Sequence, residues 1–282
     1  MSKVYILMAT YNGEKYLREQ LDSLFNQTYQ EWILWIHDDN STDSTELIIN
    51  EYVDRYPDKI IYLNDGVRCG GAKENFSYLL EKIDDNYDYV MFCDQDDVWL
   101  DTKIDKFIKT VKDIEKSSKN KQPICIFSDL VLVDEKLNIL SPSMVRTQRL
   151  NPIIASSFDY LKCQNVVTGC AMMLNKLAIQ NSLPIPDSAL MHDWWIALKV
   201  SINGQNIFIN ESLVLYRQHE SNVVGAKEIK LCYIVKKIFS LEFYTSFVKV
   251  KLMLNEIGIK IGLLQLFVCK LKTARLRFLS YE

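Results

Sequence analysis

The sequence of 282 residues has little of what zinc-binding or disulfide-stabilised proteins need. It contains three histidines and seven cysteines, and no two cysteines form a C-x-x-C pair. A zinc site of ordinary ligand spacing is therefore not visible. The cysteine count is odd and the spacing irregular, which predicts reduced, mostly buried thiols of a cytosolic protein.

Long apolar runs and a secretory leader are also lacking. Although 48% of the residues are hydrophobic, no apolar run approaches the roughly 20 residues of a membrane-spanning helix. The first apolar stretch, Val4–Met8, is too short for a signal-peptide core and no cleavage site follows it. We therefore expect a cytoplasmic protein, soluble or peripheral on the inner face of the plasma membrane.

The formal charge of −3 is unevenly distributed along the chain. Residues 227–282 contain eleven Lys and Arg against four Glu, a net charge of +7, so residues 1–226 carry about −10. The acidic body argues against nucleic acid as a partner. The basic tail also carries apolar residues at helical spacing. It predicts amphipathic helices that either pack on the body or on a second subunit, or lie on an anionic membrane.

The first 130 residues alternate apolar strands with amphipathic helices. Strands are predicted at 4–9, 32–36, 60–63, 89–93 and 124–127, and helices at 14–26, 43–52, 75–83 and 103–117. Asp43 and Glu46 have the spacing of a capping box. The alternation predicts an α/β fold of right-handed βαβ units, with a mostly parallel, Rossmann-like central sheet and helices on both faces.

Between residues 131 and 226 the pattern loosens. Strand-like segments at 166–174 and 207–216 flank a helix predicted at 193–200. From residue 227 onward we expect a C-terminal helical appendage. Its apolar residues include Tyr233, Ile234, Ile238, Phe239, Phe243 and Phe247, followed by the segment 261–269.

Polar clusters follow four of the predicted strands. They are Ala9-Thr10-Tyr11-Asn12, Asp38-Asp39-Asn40-Ser41-Thr42-Asp43, Arg68-Cys69-Gly70-Gly71 and Asp94-Gln95-Asp96-Asp97. Three carboxylates at the end of one buried strand repel one another, and a cation or ligand usually offsets that cost. A hard divalent ion that carries a phosphate-bearing substrate suits these oxygen ligands. An acidic turn is the alternative for the last cluster, and a turn or helix cap for the others.

Several of these strings resemble a known family in order and spacing. Ala9–Asn12, Asp38–Asp43 and Asp94-Gln95-Asp96-Asp97-Val98-Trp99 look like family 2 of the inverting glycosyltransferases with the GT-A fold, over roughly residues 3–225. The last of these strings, with His192-Asp193-Trp194-Trp195 and Tyr216-Arg217-Gln218-His219, looks most like bacterial rhamnosyltransferases. Those enzymes use dTDP-L-rhamnose to build cell-surface polysaccharide.

The resemblance implies a metal-dependent enzyme that moves a sugar from a nucleotide-sugar donor to a saccharide or lipid-linked acceptor. Residues 1–226 would form the catalytic domain. Within it, residues 1–130 would bind the nucleotide sugar and residues 131–226 the acceptor. The tail, 227–282, would make a peripheral membrane contact or a dimer interface.

Individual residues match nucleotide-sugar contacts of the family. Thr10 and Tyr11 match positions at the base and ribose, and Asp39, with Asp38 as second choice, matches the acceptor for the N3–H of a uracil or thymine ring. The glycines of Gly70-Gly71 would let the backbone approach the diphosphate. The remaining matches are Arg68 near the diphosphate, Asp94 facing the ribose and Arg217 as a planar fork on a phosphate.

The resemblance also implies a bound Mn²⁺ or Mg²⁺. Asp96 matches the carboxylate that binds the cation, and His219 matches a histidine that completes the coordination in some members. Asp97 is an alternative or supporting ligand. The ion would bridge the diphosphate oxygens and neutralise the charge that develops as the nucleoside diphosphate leaves.

Asp193 is the candidate catalytic base. Inversion by direct displacement needs one carboxylate to take the proton of the acceptor hydroxyl, and Asp193 opens a predicted helix, where backbone N–H groups favour its ionised form. A helix cap is the alternative role. The family has an acidic pair here, whereas this chain has His192 before Asp193, so the role of His192 is open. Trp194 and Trp195 would flank the acceptor or the sugar ring, or belong to the core.

Three other functions are compatible with parts of the pattern. A UDP-hexose-dependent transferase of the same family would use the same residues. A sugar-phosphate nucleotidyltransferase also places carboxylates and a metal on a doubly wound sheet, but its Gly-rich first loop ending in Arg or Lys is lacking in Thr10–Glu14. A non-catalytic binding module would not need carboxylates at Asp39, Asp94, Asp96 and Asp193.

Overall fold

The computed structural model describes residues 2–219 and 241–279, with side chains from 245 to 276 in the second segment. The expectations for Cys232 and for the tail up to Phe239 fall outside the described residues. The strands are β1 Val4–Thr10, β2 Trp32–Asp38, β3 Ile60–Leu63, β4 Tyr89–Asp94, β5 Val98–Trp99, β6 Ile124–Val133, β7 Ile139–Ser141, β8 Met172–Asn175 and β9 Gln205–Arg217.

Helices connect most of these strands. They are α1 Leu17–Phe25, α2 Thr45–Arg55, α3 Ala72–Lys82, α4 Lys103–Ser117, α5 Met144–Thr147, α6 Phe158–Leu161, α7 Lys176–Ser182, α8 His192–Asn203, α9 Leu241–Glu256 and α10 Leu263–Leu279. The predictions for β3 and α4 match the observed bounds, and most other predicted elements of the first half differ by one to three residues at an end.

The described strands form one sheet in the order β3-β2-β1-β4-β8-β6-β9-β5, with β7 paired to the edge of β6. The pairs β1–β2, β2–β3, β1–β4 and β6–β9 are parallel, whereas β8, β5 and β7 run in the opposite direction. The predicted mostly parallel α/β sheet is thus confirmed. The expected boundary near residue 130 falls inside β6, so the two predicted halves, 1–130 and 131–226, share this sheet.

The central strands are covered on both faces. Successive side chains of a strand point to opposite faces, and all five residues of Val4–Met8 in β1 are buried, as are Tyr89–Cys93 in β4. This continuous burial is typical of parallel strands that are sandwiched between helices. It also explains why both strands read as unbroken apolar runs in the sequence.

The described part of the tail packs on the body. Phe247, Met253, Leu254 and Leu266 are buried against the core, and the Asn151 side chain donates to the carbonyl oxygen of residue 276 in α10 at 3.3 Å. Packing on the body is therefore confirmed, while contact with a membrane or a second subunit stays a prediction. Among the described helices, none has both the length and the apolar composition of a membrane span.

The capping box predicted from Asp43 and Glu46 is wrong. The Asp43 carboxylate accepts the N–H of Thr45 at 3.0 Å at the start of α2, but Glu46 accepts from the side chain of Asn64 at 3.0 Å and does not cap the helix. The second Asp43 oxygen accepts the N–H of Glu14 at 3.1 Å. Asp43 therefore also ties α2 to the loop after β1.

The strand predicted at 166–174 is largely wrong. Only its last three residues belong to β8, and the turn Gly169–Ala171 precedes that strand. The apolar composition predicted burial correctly, since Val166 and Val167 are buried. Residues 165–169, however, lie outside the sheet and line the cavity of the candidate site.

Candidate active site

A cavity of about 1110 Å³ lies where the carboxyl ends of β1 and β4 meet the loops before α3 and α8. Ligand sites usually have about 300–1,000 Å³, so the cavity is large enough for a nucleotide sugar. Nine of the eleven predicted site residues line it. They are Thr10, Tyr11, Asp39, Arg68, Asp94, Asp96, Asp193, Trp194 and His219.

Gln95 joins the loop after β4 to the loop after β1. Its amide oxygen accepts the N–H of Tyr11 at 2.8 Å, and its amide nitrogen donates to the carbonyl of Tyr11 at 2.9 Å. At Gly13, a Cβ atom would lie 2.4 Å from Oε1 of Gln95, so any larger residue would displace the Gln95 amide from its bonds to Tyr11. The pairing fixes the backbone of Tyr11 while its ring is exposed at the cavity.

Asp38 and Asp39 have different surroundings. Asp38 accepts the Thr10 hydroxyl at 2.8 Å and both the N–H and the hydroxyl of Ser41, at 2.7 and 2.6 Å. It thus holds the loop together and does not line the cavity. Asp39 accepts the N–H of Gly70 at 2.8 Å and does line the cavity. Asp39 is therefore the better placed of the two for a nucleotide contact.

The acidic cluster divides into two parts. Asp94 and Asp96 line the cavity, and Oδ2 of Asp96 lies 2.7 Å from Nε2 of His219. Asp97 is fully buried behind them, and its Oδ1 accepts the N–H of Arg217 at 3.2 Å. Burial raises the pKa of Asp94 to about 7, and the charge of Asp96 adds to this increase. Burial also raises the pKa of Asp97 well above its usual value.

The cavity-facing part of the cluster fits a hard divalent cation. Asp94 and Asp96 supply carboxylate oxygens and His219 an imidazole nitrogen, which are ligands that Mn²⁺ accepts. Asp94, Asp97 and Cys170 also bring ligand atoms within 4.8 Å of one another. Burial raises the pKa of the Cys170 thiol well above its usual value, however, and a protonated thiol is a poor ligand. Asp94, Asp96 and His219 all line the cavity, but of these three only Asp96 and His219 have ligand atoms in contact, at 2.7 Å, so their role as metal ligands stays a prediction.

Lys103 lies behind the acidic cluster and was not identified from the sequence. It has no exposed surface, its Nζ donates to the carbonyl of Cys170 at 2.6 Å, and it lies 3.2 Å from the ring centroid of Trp99. Burial lowers its pKa to about 7, whereas the charges of Asp97 and Asp94 favour its protonated form. When protonated, Lys103 offsets part of the negative charge from the core side.

The interpretation of Arg217 as a phosphate ligand is wrong for this structure. Its side chain is 1% exposed and does not line the cavity. The guanidinium donates from Nε to the carbonyl of Asp96 at 2.8 Å, from Nη1 to the carbonyl of Glu135 at 2.5 Å, and to the carboxylate of Glu19. Arg217 therefore fixes the acidic loop from behind.

Asp193 opens α8 and lines the cavity with a side chain that is 9% exposed. Its carboxylate accepts the amide N–H of Asn165 at 3.0 Å, the N–H of Gly169 at 3.1 Å and the N–H of Trp194. Burial raises the pKa of Asp193 to about 6, and these hydrogen bonds limit the increase. Such a carboxyl group is ionised at neutral pH and still basic enough to accept a proton. Sequence reasoning missed Asn165, an isolated residue without a motif.

His192 does not orient Asp193. Its ring lies against Phe76 and Phe92, and neither ring nitrogen has a hydrogen-bond partner among the described residues. Burial lowers the pKa of His192 to about 3, so the ring is neutral near pH 7. A tuning role toward Asp193 therefore has no contact to support it.

The two tryptophans of α8 differ. Trp194 lines the cavity, and its indole N–H donates to the carbonyl of Leu161 at 2.8 Å. Trp195 is 4% exposed, and its N–H donates to the carbonyl of Ser182 at 2.7 Å. Trp195 belongs to the core and does not line the cavity, so its predicted contact with the acceptor or sugar is wrong.

Comparison with known proteins identifies the family. The family model described as glycosyl transferase family 2 matches residues 5–180. This chain belongs to glycosyl transferase family 2. A dTDP-rhamnosyl transferase RfbG of Shigella flexneri is 31% identical over 227 residues, which cover 78% of this chain and 74% of that protein. An uncharacterised Mycobacterium bovis protein is 26% identical over 221 residues, or 77% of this chain and 59% of that one.

Solved structures show the same fold. TarS of S. aureus in complex with UDP-GlcNAc superimposes with a TM-score of 0.61 at 16% identity, over 99% of this chain and 73% of that one. The mannosyltransferase PcManGT of Pyrobaculum calidifontis, in complex with GDP-Man and Mn²⁺, gives a TM-score of 0.60 at 14% identity, over 99% and 70%. The chain is thus a glycosyltransferase with a GT-A fold, as the sequence motifs predict.

Proposed function

We propose that this glycosyltransferase transfers L-rhamnose from dTDP-L-rhamnose to a saccharide or lipid-linked acceptor in the synthesis of cell-surface polysaccharide. The observation that carries the proposal is one cavity lined both by Asp94, Asp96 and His219, which are residue types that bind divalent cations, and by the buried carboxylate of Asp193. The similarity to a dTDP-rhamnosyl transferase over most of the chain supports the choice of sugar.

The donor nucleotide would bind at the carboxyl ends of β1 and β2. Asp39 would accept the N3–H of the thymine ring, because a pyrimidine imide offers one donor between two carbonyl groups. Thr10 and Tyr11 would contact the base and the ribose. Arg68, exposed at the rim of the cavity, would pair with the diphosphate.

The metal would be Mn²⁺ or Mg²⁺. Asp96 and His219 would hold it, and Asp94 would lie nearer to the ribose. When bound, the ion supplies positive charge to the diphosphate of the leaving group. Burial raises the pKa of Asp94 to about 7, and a cation bound nearby would favour its ionised form.

Asp193 would be the catalytic base. The acceptor hydroxyl would give its proton to Asp193 as its oxygen forms a bond with the anomeric carbon and the bond from that carbon to the diphosphate breaks. Attack from the side opposite the leaving group inverts the configuration. Trp194, which lines the same cavity, would offer an aromatic face to the acceptor or the sugar.

The described tail has a surface that is compatible with a lipid-linked acceptor. Leu264, Val268 and Leu271 are exposed along one side of α10, and Lys272 and Arg275 are also exposed on this helix. Basic residues next to an apolar stripe favour the surface of an anionic membrane. We therefore propose a peripheral contact through α10 on the inner membrane face.

A donor panel tests the proposal. We expect Mn²⁺ or Mg²⁺ to support release of dTDP from dTDP-L-rhamnose, and EDTA to abolish it. The panel also contains UDP- and GDP-sugars. Turnover of a UDP-hexose alone would favour the alternative transferase, and synthesis of a nucleotide sugar from a nucleoside triphosphate and a sugar phosphate would favour a nucleotidyltransferase. No metal-dependent release of nucleoside diphosphate from any donor would refute the proposal.

The metal ligand is tested by Asp96→Asn. We expect this variant to lose Mn²⁺-dependent binding of dTDP by at least tenfold in calorimetry, because one anionic ligand is removed. Asp101→Asn is the matched control, since it makes the same chemical change at an exposed residue of the following loop outside the cavity. Undiminished affinity of Asp96→Asn would reject Asp96 as a ligand.

A further inference from the structure

His192 is a polar side chain of the cavity wall that the proposed mechanism leaves unused. It is 3% exposed, and both Nδ1 and Nε2 lack a hydrogen-bond partner among the described residues. Folded proteins rarely bury a polar group without a partner, because the lost hydrogen bonds to water are not replaced. The two ring nitrogens without a partner therefore indicate that a ligand in the cavity supplies the missing hydrogen bond.

The ring is held in a defined position. Its centroid lies 4.5 Å from that of Phe76 and 4.7 Å from that of Phe92. On another side, a Cβ atom at Gly169 would lie 2.8 Å from Nε2 of His192. Nε2 thus packs closely against the backbone of Gly169, a position that only a glycine permits, and both residues line the cavity. Packing with two aromatic rings accounts for the position of the ring but leaves its two nitrogens without a role.

The chemistry of the ring limits what it would bind. Because burial lowers the pKa of His192 to about 3, the imidazole is neutral near pH 7 and has one donor and one acceptor nitrogen. A hydroxyl group, which both donates and accepts, matches this pair, whereas a diphosphate would prefer a cation. The carboxylate of Asp193 is not the partner, since its oxygens accept from Asn165, Gly169 and Trp194.

We propose that His192 forms a hydrogen bond with a hydroxyl group of the transferred sugar and thereby helps to select the donor. The proposal rests on the proposed function and deepens it. Asp193 is the adjacent residue in α8 and the proposed base, so a group that meets His192 lies close to the reacting centre. The torsion that turns an imidazole ring about its Cβ–Cγ bond is broad, so a modest rotation between Phe76 and Phe92 directs a nitrogen to the sugar.

His192→Phe tests the contact, because phenylalanine keeps the aromatic packing and removes both nitrogens. We measure the affinity for dTDP and for dTDP-L-rhamnose by calorimetry with Mn²⁺ and without acceptor. The variant is expected to bind dTDP as the wild type does and to bind the intact donor about tenfold more weakly, the loss of one hydrogen bond. His192→Gln, which keeps a donor and an acceptor, is expected to recover part of the loss.

Donor analogues that each lack one sugar hydroxyl identify the partner. The wild type is expected to lose affinity for one analogue, and His192→Phe is expected to bind that analogue and the parent donor equally. Trp195→Phe is the control for changing a buried ring of α8 outside the cavity. The proposal is overturned if neither His192 variant changes the ratio of donor to dTDP affinity, or if each of them weakens both ligands equally.

A failure of the proposed function looks different from a failure of this proposal. If the proposed function is wrong, neither the wild-type protein nor the His192 variants release nucleoside diphosphate from any donor. The ratio of affinities for dTDP and dTDP-L-rhamnose is measured independently of turnover. This ratio therefore tests the role of His192 independently of the proposed function.

Discussion

The pKa of Asp193 gives a quantitative test of its proposed role as base. The carboxylate is held at a pKa of about 6 because burial raises the value and three N–H donors limit the increase. One of these donors is the side-chain amide of Asn165, at 3.0 Å from Oδ1. A hydrogen bond to a charged group contributes about 1.5 kcal/mol, which corresponds to about one pKa unit. Asn165→Leu should therefore raise the pKa of Asp193 to about 7.

The direction of the effect on activity follows from the protonation state. Only the ionised carboxylate accepts a proton, so kcat/KM of the wild type should rise with pH and reach half its plateau near pH 6. In Asn165→Leu the midpoint should move to about pH 7. The variant should then be about fivefold slower than the wild type at pH 6 and nearly equal to it above pH 8. Recovery at high pH also shows that the variant is folded.

The assay is release of nucleoside diphosphate at saturating Mn²⁺, because Asp94, with a pKa raised to about 7 by burial, would otherwise titrate in the same range. Asn181→Leu is the matched control: the Asn181 amide donates to the carbonyl of Lys199 at 3.1 Å, away from the cavity. Asp193→Asn should lose a factor of about 10²–10⁴. An unshifted midpoint in Asn165→Leu, or substantial turnover by Asp193→Asn, would refute the reasoning.

Three further predictions concern the supports of the site and its surroundings. Arg217→Met should lower the free energy of unfolding by about 3 kcal/mol, because charged hydrogen bonds are lost; an unchanged denaturation midpoint would contradict the bracing role. Gly13→Ala should raise KM for the donor with little change in melting temperature, since its Cβ would meet Gln95; an unaltered KM would contradict this. The double change Leu264→Asp and Leu271→Asp should reduce co-sedimentation with anionic vesicles, and unchanged binding would reject the membrane contact of α10.

The hydrophobic periodicity of the sequence predicts most strands and helices of the first 130 residues. Buried parallel strands such as β1 and β4 read as continuous apolar runs because helices cover both faces, and α4 carries a clear amphipathic pattern. The segment before β8 was misread as a strand. Its apolar residues are buried as a strand would be, but the backbone N–H of Gly169 bonds to Asp193 and not to a neighbouring strand.

The motif residues were identified more reliably than the direction of their side chains. Tyr216 lines the cavity, whereas its neighbour Arg217 is buried behind the acidic loop, since successive residues of a strand face opposite sides. The side chains of Trp194 and Trp195 also point in different directions, because consecutive residues of an α-helix are rotated by about 100° around its axis. A motif shows which residue types occur together. Which of them face the cavity depends on their position along the strand or helix, because consecutive side chains point in different directions.

The buried charges explain why the acidic cluster needs support from the core. Asp97 has no exposed surface, and its Oδ2 lacks an N–H or O–H partner among the described residues. A backbone N–H of Arg217 and the charge of Lys103 offset part of this negative charge from behind. Neither Arg217 nor Lys103 lines the cavity, whereas Asp94 and Asp96 do. Arg217 thus holds the acidic loop from the core side through the carbonyl of Asp96, and the cavity face of the cluster stays open for the proposed cation.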